Sequence, residues 1–204
     1  MVLWCAVAAL VSLLGPSSVT AAQKRRQPHR RPSFHGRRLL HCSNAQLRPS
    51  SSNIATVTRA TLCLVNRERA AHGLSLLTES RALDQAATHY STQMVSDGYF
   101  SDTSPTGSTL RERIAESGYL GRKGRSRSAG VLDLAENLAT ASGELATPAN
   151  IVSAWMASPP HRANLLRPVY EGSGIGVALG MPASSAGANQ EPGATYTQYF
   201  GTIR

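Results

Sequence analysis

The chain has 204 residues, 41% of them hydrophobic, which suits one globular domain with appended segments. Its net charge of +9 arises from residues 23–50, which hold eight of the 21 Lys and Arg residues and no Asp or Glu. The rest of the chain carries 13 basic and 12 acidic residues. The domain itself is therefore nearly neutral, which argues against a nucleic-acid-binding fold as the origin of the charge.

The chain begins with a continuous apolar run, Val2–Gly15, that is too short to span a membrane comfortably. Val19 and Ala21 then occupy the −3 and −1 positions of a cleavage site. We predict that residues 1–21 are a secretory signal peptide. No Lys or Arg precedes the apolar run, so an atypical signal, a start farther upstream and a retained N-terminal anchor are the alternatives.

Two cysteines, Cys42 and Cys63, remain after this predicted signal peptide. In an oxidising compartment an even pair predicts a disulfide, and the alternative is two free thiols. A bond between them would join the basic segment to the first helix. Secretion and a disulfide are thus expected together, with the protein located outside the cell or at its wall.

Residues 22–52 are rich in Arg, Pro, Ser, His and Gln and contain few large apolar side chains. Such a segment buries too little surface to offset its ordering entropy, so we predict a basic disordered linker. Its charges, between residues 24 and 38, could bind anionic wall polymers or lipid head groups, or could form only a solvated spacer. Nucleic acid is an unlikely partner, because Phe34 is the segment's only stacking aromatic and the route is secretory.

Apolar periodicity predicts helices that begin after Asn53, Thr78, Ser108, Thr147 and Ser158. Two strands, "SGIGVALG" and "TYTQYFGTI", are predicted near the C-terminus, joined by a Pro- and Gly-rich turn over residues 182–193. Helices that precede the strands fit an α+β sandwich better than alternating βαβ units. Trp155 is predicted to lie in the core.

The sequence lacks a phosphate-binding loop, a zinc-binding His-Glu-x-x-His helix and a nucleophile elbow. Two polar residues beside apolar runs are the candidates for chemistry. Glu136 in "DLAENLA" is paired or functional if buried, or else lies in a partly exposed turn. His161 falls in the first turn of a short helix, where its imidazole could be a ligand, a base or only a turn-closing group. We expect Arg162 and Asn164 to fix that turn.

Seven motifs in order resemble the CAP superfamily of cysteine-rich secretory, antigen 5 and pathogenesis-related proteins (SCP-like), in its secreted bacterial branch. They are "CLVNRERAAHGLSLL", "MVSDGYFSDTSPTGS", "RIAESGYL", "AEN", "AWMASPPHRANLL", "GIGVALG" and "YTQYFG". The resemblance covers about residues 54–203. It implies a CAP domain over residues 53–204, folded as a three-layer α-β-α sandwich with a central antiparallel sheet, with Phe200 in the core.

The family's cleft holds two histidines and two glutamates, which in some members bind a divalent metal. By resemblance, Glu136 and His161 match one residue of each type, while Asp102 replaces the other histidine and Ser158 the other glutamate. Asp102, Glu136 and His161 are then weak candidates for metal ligands, and no cofactor is certain. If Asp102 faces His161, the two would form an ion pair or a hydrogen-bonded couple.

These features predict a secreted, non-enzymatic CAP-domain protein, a binding or effector module outside the cell or at its wall. Its cleft, around Glu136 and His161, would accept a peptide, a glycan or a lipid. The alternative is a peptidase-like hydrolase in which Glu136 or His161 activates water, with or without a metal.

Overall fold

The computed structural model describes residues 40–121, 132–185 and 192–203. The α-helices are α1 (Ile54–Ala71), α2 (Arg81–Ser96), α3 (Leu110–Glu116), α4 (Pro148–Ala157) and α5 (Pro159–Leu165). The strands are β1 (Thr78–Glu79), β2 (Leu132–Ser142), β3 (Gly172–Leu179) and β4 (Gly193–Ile203). In this part of the chain no helix has the length and apolarity needed to cross a membrane.

The strands form one sheet in the order β1-β3-β4-β2. The strands β2, β4 and β3 are antiparallel neighbours, as expected, but β1 pairs with β3 in parallel through Thr78 and Glu79. The sheet is therefore mixed and not purely antiparallel. A two-residue strand shows no alternation that a sequence pattern could reveal, which explains why β1 was expected to belong to the second helix.

Two clusters of buried side chains lie on the two faces of the sheet, which confirms the α+β sandwich. The larger cluster joins α1, α4 and α5 to the sheet through residues that include Val57, Trp155 and Phe200. The smaller cluster joins α2 and α3 to it through residues that include Leu83, Ile114 and Tyr199. Trp155 and Phe200 are fully buried, so both core predictions are confirmed.

Glycines in β3 allow α2 to approach the sheet closely. A Cβ atom at Gly174 would lie 2.2 Å from the carbonyl carbon of Leu83, and one at Gly176 would lie 2.1 Å from that of Ala87. The "GSGIG" segment of β3 therefore packs directly against the backbone of α2.

The N-terminal segment from residue 40 onward is fixed to the domain. The predicted disulfide between Cys42 and Cys63 is present. The backbone N–H of Ala149, at the start of α4, donates to the carbonyl of Ala45 at 2.8 Å. The predicted disordered linker over residues 22–52 is therefore ordered in its last part, because a cross-link and hydrogen bonds supply what its composition lacks. Residues 22–39 and the signal segment lie outside the described residues.

The N-terminal ends of the helices differ from expectation in detail. Ser80 caps α2, and Thr109 caps α3 in a capping box with Glu112, one residue after the N-cap expected at Ser108. Asn53 and Ser158 occupy N-cap positions without a side-chain capping bond. Asn53 instead donates to the carbonyl of Arg48 and accepts from the N–H of Ser50, which ties α1 to the segment before it.

Asp84, in the first turn of α2, should make folding stability fall as the pH rises. Its Oδ1 accepts a 2.8 Å hydrogen bond from Ile175 N–H, yet burial raises the pKa of Asp84 to about 6, and Glu79 adds to the rise. In the unfolded chain the carboxyl of Asp84 has its ordinary, lower pKa, so it ionises at a lower pH than in the folded protein. The contribution of Asp84 to the free energy of unfolding is therefore lost between about pH 4 and 7. The side chain is only partly buried, so we expect a loss of about 1–2 kcal/mol.

Chemical denaturation of the wild type and of Asp84→Asn at pH 4 and pH 7 measures this contribution. The variant should lose less stability than the wild type between the two pH values. Asp97→Asn, at the exposed C-terminal end of the same helix, is the control and should keep the wild-type pH dependence. Equal pH dependence in all three proteins would contradict the prediction.

Candidate functional site

Glu136 lies in the middle of β2, opposite Tyr199 of β4, and not in a turn. Its side chain is only 9% exposed, and its carboxylate pairs with the guanidinium of Arg113. Nη2 of Arg113 lies 3.0 Å from each of the two Glu136 oxygens. Of the alternatives open at the sequence level, the buried and paired carboxylate is therefore the observed one.

Arg113 reaches this site from α3, and further contacts fix its guanidinium. Its Nε donates to the hydroxyl of Tyr199 at 2.7 Å, and its Nη1 donates to the carbonyl of Ser108 at 2.8 Å. Its central carbon also lies 3.6 Å from the centroid of the Tyr90 ring, a cation–π contact. The arginine thus connects α3, the sheet and the ring of an α2 residue at one point.

The loop that carries Asp102 is fixed by its backbone. The carbonyl of Asp102 accepts from Nη2 of Arg113 at 3.0 Å, and the carbonyl of Ser101 accepts from the hydroxyl of Tyr90 at 2.7 Å. The side chain of Asp102 is exposed. Arg113 and Tyr90 therefore determine where this loop stands relative to Glu136.

Burial raises the pKa of Glu136 to about 7. Arg113 opposes the rise, and the negative charge of Asp102 adds to it. The pKa of Arg113 is itself raised: burial alone lowers it, but Tyr199 and Glu136 together outweigh burial. The site thus combines a permanent buried cation with a carboxyl group that titrates near neutral pH.

Two asparagines attach the helix of His161 to the strand of Glu136. Asn137 donates to the carbonyl of His161 at 3.2 Å. Asn164 donates to the carbonyl of Glu136 at 2.9 Å and to the side-chain oxygen of Asn137 at 3.0 Å. These bonds hold α5 over the edge of β2 that faces away from β4, where the described part of the chain places no further strand. Asn164 thus fixes α5, the role expected from the sequence.

The side chains of His161, Asp102 and Ser158 make fewer contacts with one another than the family resemblance implies. His161 is half-buried, and across residues 40–121, 132–185 and 192–203 its imidazole makes no hydrogen bond. The expected couple between Asp102 and His161 is not formed in the described part of the chain: the carbonyl of Asp102 accepts from Arg113, and its side chain is exposed. Ser158 lies at the junction of α4 and α5, where its carbonyl accepts from Arg162 N–H at 2.9 Å.

The expected metal ligands do not form a metal site. In the described part of the chain, no three His, Cys, Asp or Glu side chains are grouped so that they could hold a metal ion. Both oxygens of Glu136 already accept from Arg113. The set Asp102, Glu136 and His161 therefore does not fit a divalent cation in this arrangement.

Arg113 and Tyr199 were not predicted from the sequence, although the position of Arg113 in its helix indicates that it is buried. Arg113 lies three residues after Leu110 and one before Ile114, on the helix face that turns to the core. A basic residue at that position needs a buried partner. Tyr199 carried no comparable signal, because an aromatic residue in a strand is ordinarily part of a core.

Comparison with known proteins agrees with this fold. Residues 62–200 match the family model of the cysteine-rich secretory protein family (CAP). The chain is 28% identical over 149 residues to the uncharacterized protein YkwD of Bacillus subtilis (strain 168). That match covers 73% of this chain and 48% of YkwD, so the chain spans about half the length of this relative.

Two solved bacterial structures are similar. An extracellular protein containing an SCP domain from Bacillus anthracis has a TM-score of 0.54 at 24% identity, covering 76% of this chain and 44% of that one. An outer surface protein of Borrelia burgdorferi has a TM-score of 0.49 at 19% identity, covering 70% of this chain and 90% of that one. Since the family model matches well over half of the chain, including Asp102, Glu136 and His161, this protein belongs to the cysteine-rich secretory protein (CAP) family.

Proposed function

We propose that this protein is secreted and acts outside the cell, at or near the wall, as a non-enzymatic binding or effector module. Its ligand, a peptide, glycan or lipid, would bind in the cleft around Glu136 and His161, with Asp102 and Ser158 at its edge. The disulfide, the predicted signal peptide and the description of the B. anthracis protein as extracellular support secretion.

One observation supports the non-enzymatic role above the others. The carboxylate of Glu136, the cleft's candidate base, forms a buried ion pair with Arg113 through both oxygens. Arg113 favours the ionised form of this carboxylate and so weakens it as a base. A metal that bound both oxygens would have to displace Arg113, and breaking a buried pair costs about 3–5 kcal/mol. The exposed carboxylate of Asp102 and the half-buried imidazole of His161 remain available to a ligand.

A Glu136-dependent hydrolase is the second candidate, and the pKa of Glu136 favours it. A carboxyl group with a pKa of about 7 has the proton affinity that general acid–base catalysis requires at neutral pH. In this case Glu136 would exchange its proton with a substrate or a water while Arg113 stabilised the ionised form.

Turnover assays on the purified secreted protein separate the two functions. Peptides and wall-derived substrates are incubated with the wild type, with Glu136→Gln and with His161→Ala, with and without divalent metal. His72→Ala, at the exposed C-terminal end of α1, is the matched control. The binding role predicts no turnover above background in any protein. Turnover that is lost in Glu136→Gln or in His161→Ala but kept in His72→Ala would overturn the proposal.

Ligand binding is tested with the same proteins on wall glycan, peptide and lipid-vesicle preparations. At least one preparation should retain the wild type and the His72→Ala control, while the double variant Asp102→Ala/His161→Ala is released. Equal retention of all three proteins by every preparation would place ligand binding elsewhere and contradict the cleft as the site.

We also propose that residues 24–38 strengthen retention at an anionic wall polymer or lipid surface. Seven Lys and Arg residues without an acidic neighbour support it. Deletion of residues 24–38 should reduce retention on anionic surfaces, and salt should release the full-length protein. Retention that neither the deletion nor salt changes would mean that the segment is only a spacer.

A further inference from the structure

We propose that Arg113 is the resident cation of this cleft: its guanidinium occupies, on Glu136, the position that a divalent metal would take. Glu136 is then not a metal ligand in this chain, and Arg113 is a positioning residue for both Glu136 and the loop of Asp102. The inference goes beyond the proposed function, because it holds whether the cleft binds a ligand or turns one over.

The first step concerns the carboxylate. Nη2 of Arg113 lies at the same distance, 3.0 Å, from both oxygens of Glu136. The two side chains are only 5% and 9% exposed, so solvent screens the pair weakly. A metal that bound both oxygens would have to stand on the same side of the carboxylate as this nitrogen.

The second step concerns mobility, because a guanidinium that swung aside would leave Glu136 open. Tyr199 and the carbonyl of Ser108 accept from Nε and Nη1, and the Tyr90 ring covers one face of the guanidinium. Moving Arg113 would leave the buried hydroxyl of Tyr199 without a partner, at about 1–3 kcal/mol, and would leave the carbonyl of Ser108 with only the N–H of Ser104 as a donor. If Arg113 stayed in place, its positive charge would repel a divalent cation that approached Glu136.

The third step concerns the loop. Nη2, the nitrogen that binds Glu136, also donates to the carbonyl of Asp102 at 3.0 Å. One atom of Arg113 thus sets the backbone of Asp102 relative to the carboxylate of Glu136. By the family resemblance, Asp102 replaces a histidine, and its side chain is exposed. Among the described residues, Arg113 is the only cation that contacts Glu136.

Zinc titration calorimetry on the full-length secreted protein tests this assignment. A second nitrogen ligand is supplied by Asp102→His, and Arg113→Gln removes the guanidinium. Arg111→Gln, on the exposed face of the same helix, is the matched control. The double variant Asp102→His/Arg113→Gln should bind Zn²⁺ at least about tenfold more tightly than Asp102→His alone. The control Asp102→His/Arg111→Gln should bind Zn²⁺ no more tightly than Asp102→His. Adding Glu136→Gln to the double variant Asp102→His/Arg113→Gln should abolish its gain in Zn²⁺ affinity.

Two results would overturn the inference. One is Zn²⁺ binding by the wild type, or by Asp102→His, that Glu136→Gln abolishes while Arg113 is present. The other is the absence of any gain in a folded Asp102→His/Arg113→Gln variant. If Arg113 only stabilised the fold, its replacement would create no new affinity for Zn²⁺, and the double variant would show no gain.

A measurement on the wild type guards against variants that do not fold. The Nε–H signal of Arg113 in an NMR spectrum should exchange slowly with water at neutral pH and stay unchanged in excess Zn²⁺. Arg113→Lys, which keeps the charge, should have a lower Tm and still gain no Zn²⁺ affinity. An Nε–H signal that shifts with Zn²⁺, or zinc binding by Arg113→Lys, would count against the assignment.

Discussion

Replacing Gly176 with alanine should destabilise the domain by about 4 kcal/mol or more, beyond the 1–3 kcal/mol of ordinary overpacking. The new Cβ would lie 2.1 Å from the carbonyl carbon of Ala87 and from the backbone nitrogen of Thr88. These are backbone atoms of α2 and cannot turn aside as a side chain does. The helix would have to leave the sheet, with loss of contacts from Leu83 and Tyr90 in the smaller core cluster.

Urea denaturation measures this effect, and the same strand supplies its control. A Cβ at Gly172 would meet the hydroxyl of Tyr119 at 3.0 Å, which a small movement of that side chain relieves, and the carbonyl oxygen of Gly201 at 3.4 Å, an ordinary contact distance. Gly172→Ala should therefore cost about 1 kcal/mol or less. A fall in Tm of about 8–16 °C for Gly176→Ala is expected. Equal stability of the two variants would show that α2 tolerates a wider separation from β3.

The strands show what periodicity can and cannot predict. The last two strands were predicted because their β-branched, aromatic and glycine residues are bounded by turn signals. The strand β2 was missed, since Leu134, Ala135, Leu138 and Ala139 recur at the three- and four-residue spacing of a helix. The pattern arises because β2 is covered on both faces: Leu134 contacts the smaller cluster and Ala135 the larger one.

The resemblance predicted positions for the candidate site residues and did not predict their partners. The family resemblance placed Glu136 and His161 in one region, and the asparagine bonds between β2 and α5 join their backbones. The pairing of Glu136 with Arg113 joins residues 23 positions apart, and no local spacing rule reports it. A carboxylate matched to a family motif therefore still needs its counter-ion identified before a metal is assigned to it.

A second buried arginine anchors α5, the helix that carries His161, and replacing Arg69 with methionine should destabilise the domain by about 3–5 kcal/mol. Arg69 is fully buried, and burial lowers its pKa. It donates to four carbonyls along the chain, at distances of 2.8–3.3 Å, those of Ser75, Leu165, Arg167 and Tyr170. Methionine keeps the apolar stem but leaves these carbonyls without donors, at about 1 kcal/mol or more for each.

Denaturation of Arg69→Met beside Arg59→Met separates this role from a general effect of lost charge. Arg59 is an exposed residue of the same helix, and its replacement should change stability by no more than about 0.5 kcal/mol. Hydrogen exchange should also become faster over residues 165–170 in Arg69→Met alone. Equal stability of the two variants would mean that water replaces the lost donors.

Arg69→Met should also weaken ligand binding at the proposed cleft, although Arg69 does not contact Glu136, Asp102 or the side chain of His161. Leu165 is the last residue of α5, so the bond from Arg69 to its carbonyl anchors the helix that carries His161. Arg113 anchors the opposite side through Glu136 and the loop of Asp102. Binding to the preparation that retains the wild type should therefore fall in Arg69→Met and persist in Arg59→Met. Full binding by a folded Arg69→Met would show that the asparagine bonds to β2 suffice to place His161.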